Sequence, residues 1–398
     1  MLYPSMDPNE RFRSRRVQVR RRKRRRRALL FAVLLVCVLA LAGGMTLAGK
    51  SDSSKQADAR PRTPAPASLA AAAATGPQPR PLPVEIRGVH VTGPLASLPG
   101  KLQEFVDLKR FGLNTIELDI KDEGGEVGFN PRSVPLVERV GAARSYFEPR
   151  AVARLMRKHG LYLICRVVAF QDPQLARGRP DLAVRRRDGG VWTTGAGLAW
   201  VNPYDRRVWD YVVSIAEAGA RGGCDEIMLD YVRFPSDGDI GAAVYPGKTS
   251  VPRGRLIADF VAYARQRLRP LGVRVSAALF GLSATRDLGV GQVPKWISEH
   301  VDHVNAMTYP ALYGGGELGI AKPVARPGET VFRALADFRR QLRGRRAQLV
   351  PWIQDWSYEP AQVRAQIDAA RLQGAKGFIL WNATGRYTAS ALAPPEGA

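Results

Sequence analysis

Residues 226–237 read Glu-Ile-Met-Leu-Asp-Tyr-Val-Arg-Phe-Pro-Ser-Asp, a short apolar run that ends in a carboxylate, Asp230. Alternation along an extended strand puts Met228, Asp230 and Val232 on one face, with Ile227, Leu229 and Tyr231 on the other. Residues 115–121 (TIELDIK) repeat the arrangement: Glu117, Asp119 and Lys121 share a face, and Asp122 and Glu123 follow. A carboxylate inside an apolar strand is unfavourable to bury unless it is paired or used. Two such groups facing one cleft can divide proton donation and nucleophilic or basic attack between them, as glycosidic bond cleavage requires. Asp230 is the first candidate. Asp119, Asp122 and Asp355 compete for the second role.

Aromatic and amide residues cluster at other predicted strand ends: Asn305 and Tyr309, Trp352 to Trp356, and Trp381-Asn382. Sugar rings present apolar C–H faces that stack on Trp and Tyr, while their hydroxyls pair with carboxylates and amides. Tyr309, Trp352 and Trp381 are therefore expected as sugar platforms, with Asn305, Asp122 and His90 lining the cleft and Arg233 orienting Asp230 or the substrate. Structural roles stay open beside these: Asp230 paired with Arg233, Asp119 paired with Lys121 or Arg166, and any single Trp in core packing.

Other chemistries find no support. The four His residues (His90, His159, His300 and His303) show no HxH or HExxH spacing, so neither a metal nor a cofactor is expected. No Gly-x-Ser-x-Gly elbow occurs, which disfavours a serine esterase. Of the three cysteines, Cys165 and Cys224 are expected to be small buried hydrophobes rather than a disulfide framework.

The elements that must hold these residues are legible as alternating patterns. Strands are predicted at 85–92, 115–121, 162–170, 225–232, 273–280, 303–309, 347–354 and 377–382. Helices are predicted near 98–111, 149–159, 205–220, 254–268, 292–299, 328–342 and 360–373. Apolar strands separated by helices point to a (β/α)8 TIM barrel, with a doubly wound open sheet as the alternative. The turn after the first strand, Thr92-Gly93-Pro94, has neither dinucleotide nor Walker spacing, which counts against the open sheet. The connections 122–147 and 171–204 are long and follow strand ends, where a barrel builds its site.

The N-terminus has a different character. Residues 1–27 hold twelve Lys/Arg against two acids, and Ala28–Ala48 is an uncharged stretch of 21 residues. At 1.5 Å per residue that stretch spans roughly 30 Å, the thickness of a bilayer core. The basic flank predicts a cytoplasmic tail and a single-pass signal anchor over 28–48. The alternative is a cleaved signal peptide and secretion. Residues 49–83, rich in Pro and Ala, read as a disordered linker. The barrel is then 84–390, followed by a short tail, 391–398, and sits on the extracytoplasmic side. No nucleic-acid partner is expected, because the basic run has no binding module beside it.

The runs LDYVRFPSDG (229–238), DIKDEGG (119–125), RVVAFQDPQLA (166–176), LAWVNPYDRRVWDY (198–211), MTYPALYGGGELGI (307–320), PWIQDW (351–356) and GFILWNATGRY (377–387) resemble a bacterial glycoside-hydrolase-like domain family over about residues 86–388. The resemblance implies a TIM barrel acting on carbohydrate. A more distant likeness is to family-18 chitinases: Asp225 and Asp230 match two acids of their strand 4. Met228 replaces a third, and Val232 stands where their proton-donating Glu would be. The chain is also similar to the hydrolase domains of bacterial exopolysaccharide-processing proteins, which share an Asp at the end of strand 4. Together these imply a glycosidase for a cell-wall or extracellular polysaccharide. The alternative is a glycan-binding envelope protein that keeps the cleft without turnover.

Overall fold

The computed structural model describes residues 77–393. The tail, the apolar segment 28–48 and most of the linker lie outside these residues. No helix among the described residues is long and apolar enough to cross a membrane.

The strands are β1 (Ile86–Val91), β2 (Thr115–Lys121), β3 (Tyr162–Val168), β4 (Glu226–Asp230), β5 (Arg274–Phe280), β6 (His303–Met307), β7 (Gln348–Leu349), β8 (Trp352–Gln354) and β9 (Gly377–Trp381). All pair in parallel with their neighbours, and the β5–β6 pairing closes the sheet. β7 and β8 are two pieces of one barrel strand, broken at Val350-Pro351, where proline supplies no N–H to the ladder. The result is an eight-stranded parallel α/β barrel, as expected for a TIM barrel.

Connecting helices coat the outside: α1 (Lys101–Asp107), α2 (Pro149–Lys158), α3 (Arg206–Gly222), α4 (Arg253–Leu268), α5 (Pro294–Ile297), α6 (Pro327–Gln341) and α7 (Pro360–Leu372). Their ends follow the local chemistry. The Asp205 carboxylate caps α3 by accepting from the Arg207 N–H, and Gly223 at φ 105° ends it in the left-handed region that glycine favours. α3 turns Val208, Val212, Ile215 and Ala216 inward at helical spacing.

β4 stops two residues earlier than the sequence suggests, because Tyr231 adopts φ 50°, a left-handed conformation uncommon outside glycine. Both long connections are structured. Lys121 and Ala143 each bridge to Val127, while residues 171–201 fold back through bridges such as Gln171 to Trp200 and Thr193 to Ala199.

Two further features bear on the site. Cys165 on β3 and Cys224 at the foot of β4 form a disulfide across a Cα–Cα distance of 5.9 Å, which corrects the expectation of two unlinked hydrophobes. Beneath the barrel, residues 77–83 carry no helix or strand. Arg80 Nη1 donates to the Leu161 carbonyl (2.7 Å) and to Asp225 Oδ2 (3.0 Å), and the Arg80 carbonyl accepts from Arg274. This segment is fastened to the N-terminal ends of β3, β4 and β5.

Candidate active site

The C-terminal ends of β2, β3 and β4 bring three charged side chains together. Arg166 follows Ile164 by two residues on β3 and so points into the barrel. It is 4% exposed. Its Nε and Nη2 donate to Asp230 Oδ2 at 2.9 and 2.7 Å, and its Nη1 donates to Asp119 Oδ1 at 2.7 Å. Glu123 Oε2 lies 3.5 Å from the same Nη1. One guanidinium thus ties together the two carboxylates that strand alternation singled out, Asp119 and Asp230, and reaches a third in the loop after β2. A planar, permanently charged fork suits this task.

Lys121 does not join them. The β2–β3 register shifts between Asp119 and Lys121. Lys121 Nζ turns instead to Asp172 Oδ2 (3.0 Å) and the Val168 carbonyl (2.8 Å), both buried. Of the two pairings open in the sequence, Asp119–Arg166 is the one formed.

Asp230 accepts two bonds from Arg166 and a third from the Tyr231 N–H at 2.6 Å. Asp119, 3% exposed, is in a different electrostatic position. Burial pushes its carboxyl above the usual range, against the pull of Arg166 and His90. Glu123 goes the other way: desolvation is the largest influence and would raise it, but Arg166, its own backbone N–H and His90 together outweigh this and hold it low. Its side chain is 44% exposed, so it stands at the mouth.

Below and beside Asp119, His90 on β1 is buried. Its Nδ1 lies 2.9 Å from Glu117 Oε1 and its Nε2 lies 3.5 Å from Asp119 Oδ2. Ligating atoms of His90, Glu117 and Asp119 lie within 4.8 Å of one another, a spacing that a cation could span.

An aromatic wall completes the site. Trp381 stacks on His90 with centroids 5.6 Å apart, and Tyr309 stacks on Trp352 at 6.4 Å. Trp356 packs edge-on to Tyr309 (5.0 Å) and Trp381 (5.5 Å). Arg166 sits 5.7 Å from the centre of Trp352. Tyr309 Oη, Trp352 Nε1 and Trp381 Nε1 are buried without a hydrogen-bond partner. Three donors without acceptors beside a carboxylate cluster are suited to a ligand rich in hydroxyl or carbonyl oxygen.

The remaining sequence candidates are placed elsewhere. Both Asp355 oxygens accept from Thr388, from its N–H at 2.7 Å and its hydroxyl at 2.6 Å. Asp355 therefore fastens the segment after β9 and forms no ion pair with Arg166. Asp122 closes a turn, accepting the N–H groups of Gly124 and Glu126 at 2.9 Å each. Burial, reinforced by Glu123, pushes its carboxyl up to about 7. Asn305 is buried, donates to the Val350 carbonyl at 2.9 Å and leaves Oδ1 unpartnered. Arg233 is stacked among the rings of Tyr231, Phe280 and Trp200 and donates to Ser236 Oγ at 3.0 Å.

Sequence reasoning left out Arg166, Glu123 and Trp356 as site residues. The available signal was a single charge inside YLICRVV, at the position where alternation faces the barrel interior. A surface cavity of about 570 Å³ lies apart, against Phe129, Arg144, Phe147 and Arg150, and includes none of these groups.

Comparison with known proteins supports the barrel fold. No curated protein matches the chain. The PgaB (BpsB) glycoside hydrolase domain from Bordetella bronchiseptica superposes with a TM-score of 0.55 at 18% identity, over 76% of this chain and 95% of that one, which supports the fold. A hypothetical protein from Ruminiclostridium thermocellum is 34% identical over 48% of this chain and 96% of its own length, with a TM-score of 0.43. Residues 88–387 match one family across the barrel, and the chain belongs to that family, described as "Putative glycosyl hydrolase domain".

Proposed function

We propose that this barrel hydrolyses glycosidic bonds in a cell-wall or extracellular polysaccharide. The observation that carries the reading is the Arg166 clamp, which holds two carboxylates from different strands at one barrel mouth beside an aromatic wall. Asp119, favoured in its protonated form by burial, is the proton donor to the leaving oxygen. Asp230, an acceptor held by three N–H groups, is the carboxylate that attacks the anomeric carbon or activates water. Tyr309, Trp352 and Trp381 bind the sugar rings.

The site of action is the extracytoplasmic envelope, with the chain anchored through residues 28–48 or secreted after cleavage. The Cys165–Cys224 disulfide supports this placement, since such bonds persist in oxidising compartments.

Release of reducing ends from a panel of glycans should occur with the wild-type chain and fall by at least about a hundredfold in Asp230→Asn and Asp119→Asn. Equal glycan binding by all three proteins with no release by any would leave a glycan-binding protein and remove the enzyme.

A further inference from the structure

The floor of the barrel, where the strands begin, carries an excess of exposed cations. Lys109 and Arg110 precede β2, Lys158 precedes β3, Arg269 precedes β5, and Arg343 and Arg346 precede β7; all six are exposed. No carboxylate pairs with any of them among the described residues. Glu85, Glu299 and Asp302 on this face are already held by Arg371, Arg345 and Arg265. The helix dipole favours cations in a last turn and accounts for Arg339 and Arg340, but Arg343 and Arg346 lie beyond α6. Apolar side chains stand among these charges. Val84, Phe111 and Leu372 are 93%, 37% and 75% exposed. They precede β1, β2 and β9, which are neighbours in the sheet, and Arg371 beside Leu372 pairs with Glu85 beside Val84 at 2.7 Å. Next to Leu372, Gln373 Oε1 accepts from Arg339 Nη1 at 3.0 Å. With Arg340 and Arg343, these two residues line a cavity of about 410 Å³.

We propose that the barrel floor docks on an anionic phospholipid surface, with headgroup phosphate in the arginine-lined cavity and Val84, Phe111 and Leu372 at the acyl boundary. Charge and polarity together select this occupant. Arginine forks match phosphate geometry, and cations interspersed with exposed apolar side chains suit an anionic interface. An acidic protein or a free polyanion would satisfy the cations and leave the three apolar side chains in water. The sequence places such a surface within reach. The uncharged stretch 28–48 is separated from residue 77 by 28 residues, which span at most roughly 100 Å. That proximity rests on the reading of 28–48 as an anchor, whereas the chemistry of the floor does not. Floor docking turns Asp119 and Asp230, at the opposite end of the strands, away from the lipid.

Labelling of lysines by a membrane-impermeant amine reagent, read by mass spectrometry on the full chain, reports which face is covered. Lys109 and Lys158 stand on the floor, while Lys248 and Lys322 are exposed in the loops after β4 and β6, at the mouth. The chain is mixed with vesicles of phosphatidylcholine, with or without about one-third phosphatidylglycerol. With anionic vesicles alone, labelling of Lys109 and Lys158 relative to Lys248 and Lys322 should fall at least about threefold. It should recover in about 1 M salt, where charges are screened within about 3 Å. Leu372→Asp and Arg343→Glu, both at exposed positions, should each restore the ratio seen with phosphatidylcholine. An unchanged ratio on anionic vesicles overturns the docking face. Protection by soluble polyphosphate with none from anionic vesicles also overturns it, and gives the face to an acidic polymer. A chain that floats only with anionic vesicles, its floor lysines protected, keeps the docking and loses the anchor over 28–48. A chain that floats with both vesicles without protection keeps the anchor and loses the docking.

Discussion

Replacing Arg166 with Met removes the one cation that Asp119 and Asp230 share while keeping a side chain of similar length. Arg166 is 4% exposed, and both carboxylates are buried with it. Removing one partner of a buried ion pair costs about 3–5 kcal/mol, because it strands the other charge. Here two carboxylates are stranded, so a loss at or above that range is expected at pH 7. In a domain of this size that is roughly 5–15 °C in Tm.

The pH dependence follows from linkage. Burial already raises Asp119 above its ordinary value, and without the pull of Arg166 its carboxyl moves further up. A group whose folded-state pKa is raised stabilises the fold below that pKa and loses this as pH rises through it. The deficit of Arg166→Met should therefore be largest at pH 7–8 and shrink below about pH 4, where the carboxyls are protonated in both states. Urea unfolding of wild type and variant across pH 4–8, followed by tryptophan fluorescence, measures this directly. A deficit under about 1 kcal/mol at pH 7, or one that does not change with pH, would refute the clamp as an electrostatic necessity. Arg166→Lys provides the companion measurement: it keeps the charge but cannot span both carboxylates, so glycan cleavage should fall much further than stability.

Other perturbations have equally definite outcomes. Reducing the Cys165–Cys224 disulfide, which closes a separation of 59 residues, should lower stability by about 4 kcal/mol on loop-entropy grounds, read as a shift in denaturant midpoint. Asp355→Ala removes both bonds to Thr388 and should destabilise by about 1–3 kcal/mol while leaving glycan release intact, since its carboxylate is spent on a loop. Trp381→Ala should weaken glycan binding by about tenfold or more by calorimetry, and an unchanged affinity would remove it from the sugar surface. Asp122, raised to about 7, binds its proton more tightly folded than unfolded, so it subtracts stability as pH rises from about 4 to 7. Asp122→Asn keeps an acceptor for Gly124 and Glu126 and should flatten that decline in pH-dependent melts.

What was legible in the sequence follows from range. Strand alternation is local, and it correctly placed Asp119 and Asp230 on inward faces because the barrel enforces a period of two. The end of β4 was not legible, because nothing in the string marks Tyr231 as left-handed. Asp355 sits among tryptophans and looked like a partner for Asp230. Its fate is set by Thr388, 33 residues onward, a relation no local pattern carries. Arg166 looked like a structural ion-pair partner until β3 was seen to run between β2 and β4, which makes it the neighbour of both acids. The two cysteines meet for the same reason: β3 and β4 are adjacent, so 59 residues of separation collapse to one bond.

The segment fastened under the barrel by Arg80 has a mechanical consequence. Residues 77–83 lie at the floor of the barrel, at the opposite end of the strands from Asp119 and Asp230. Any pull transmitted from the N-terminal side is therefore taken up at the starts of β3, β4 and β5. The mouth, where the aromatic wall stands, is left free of load.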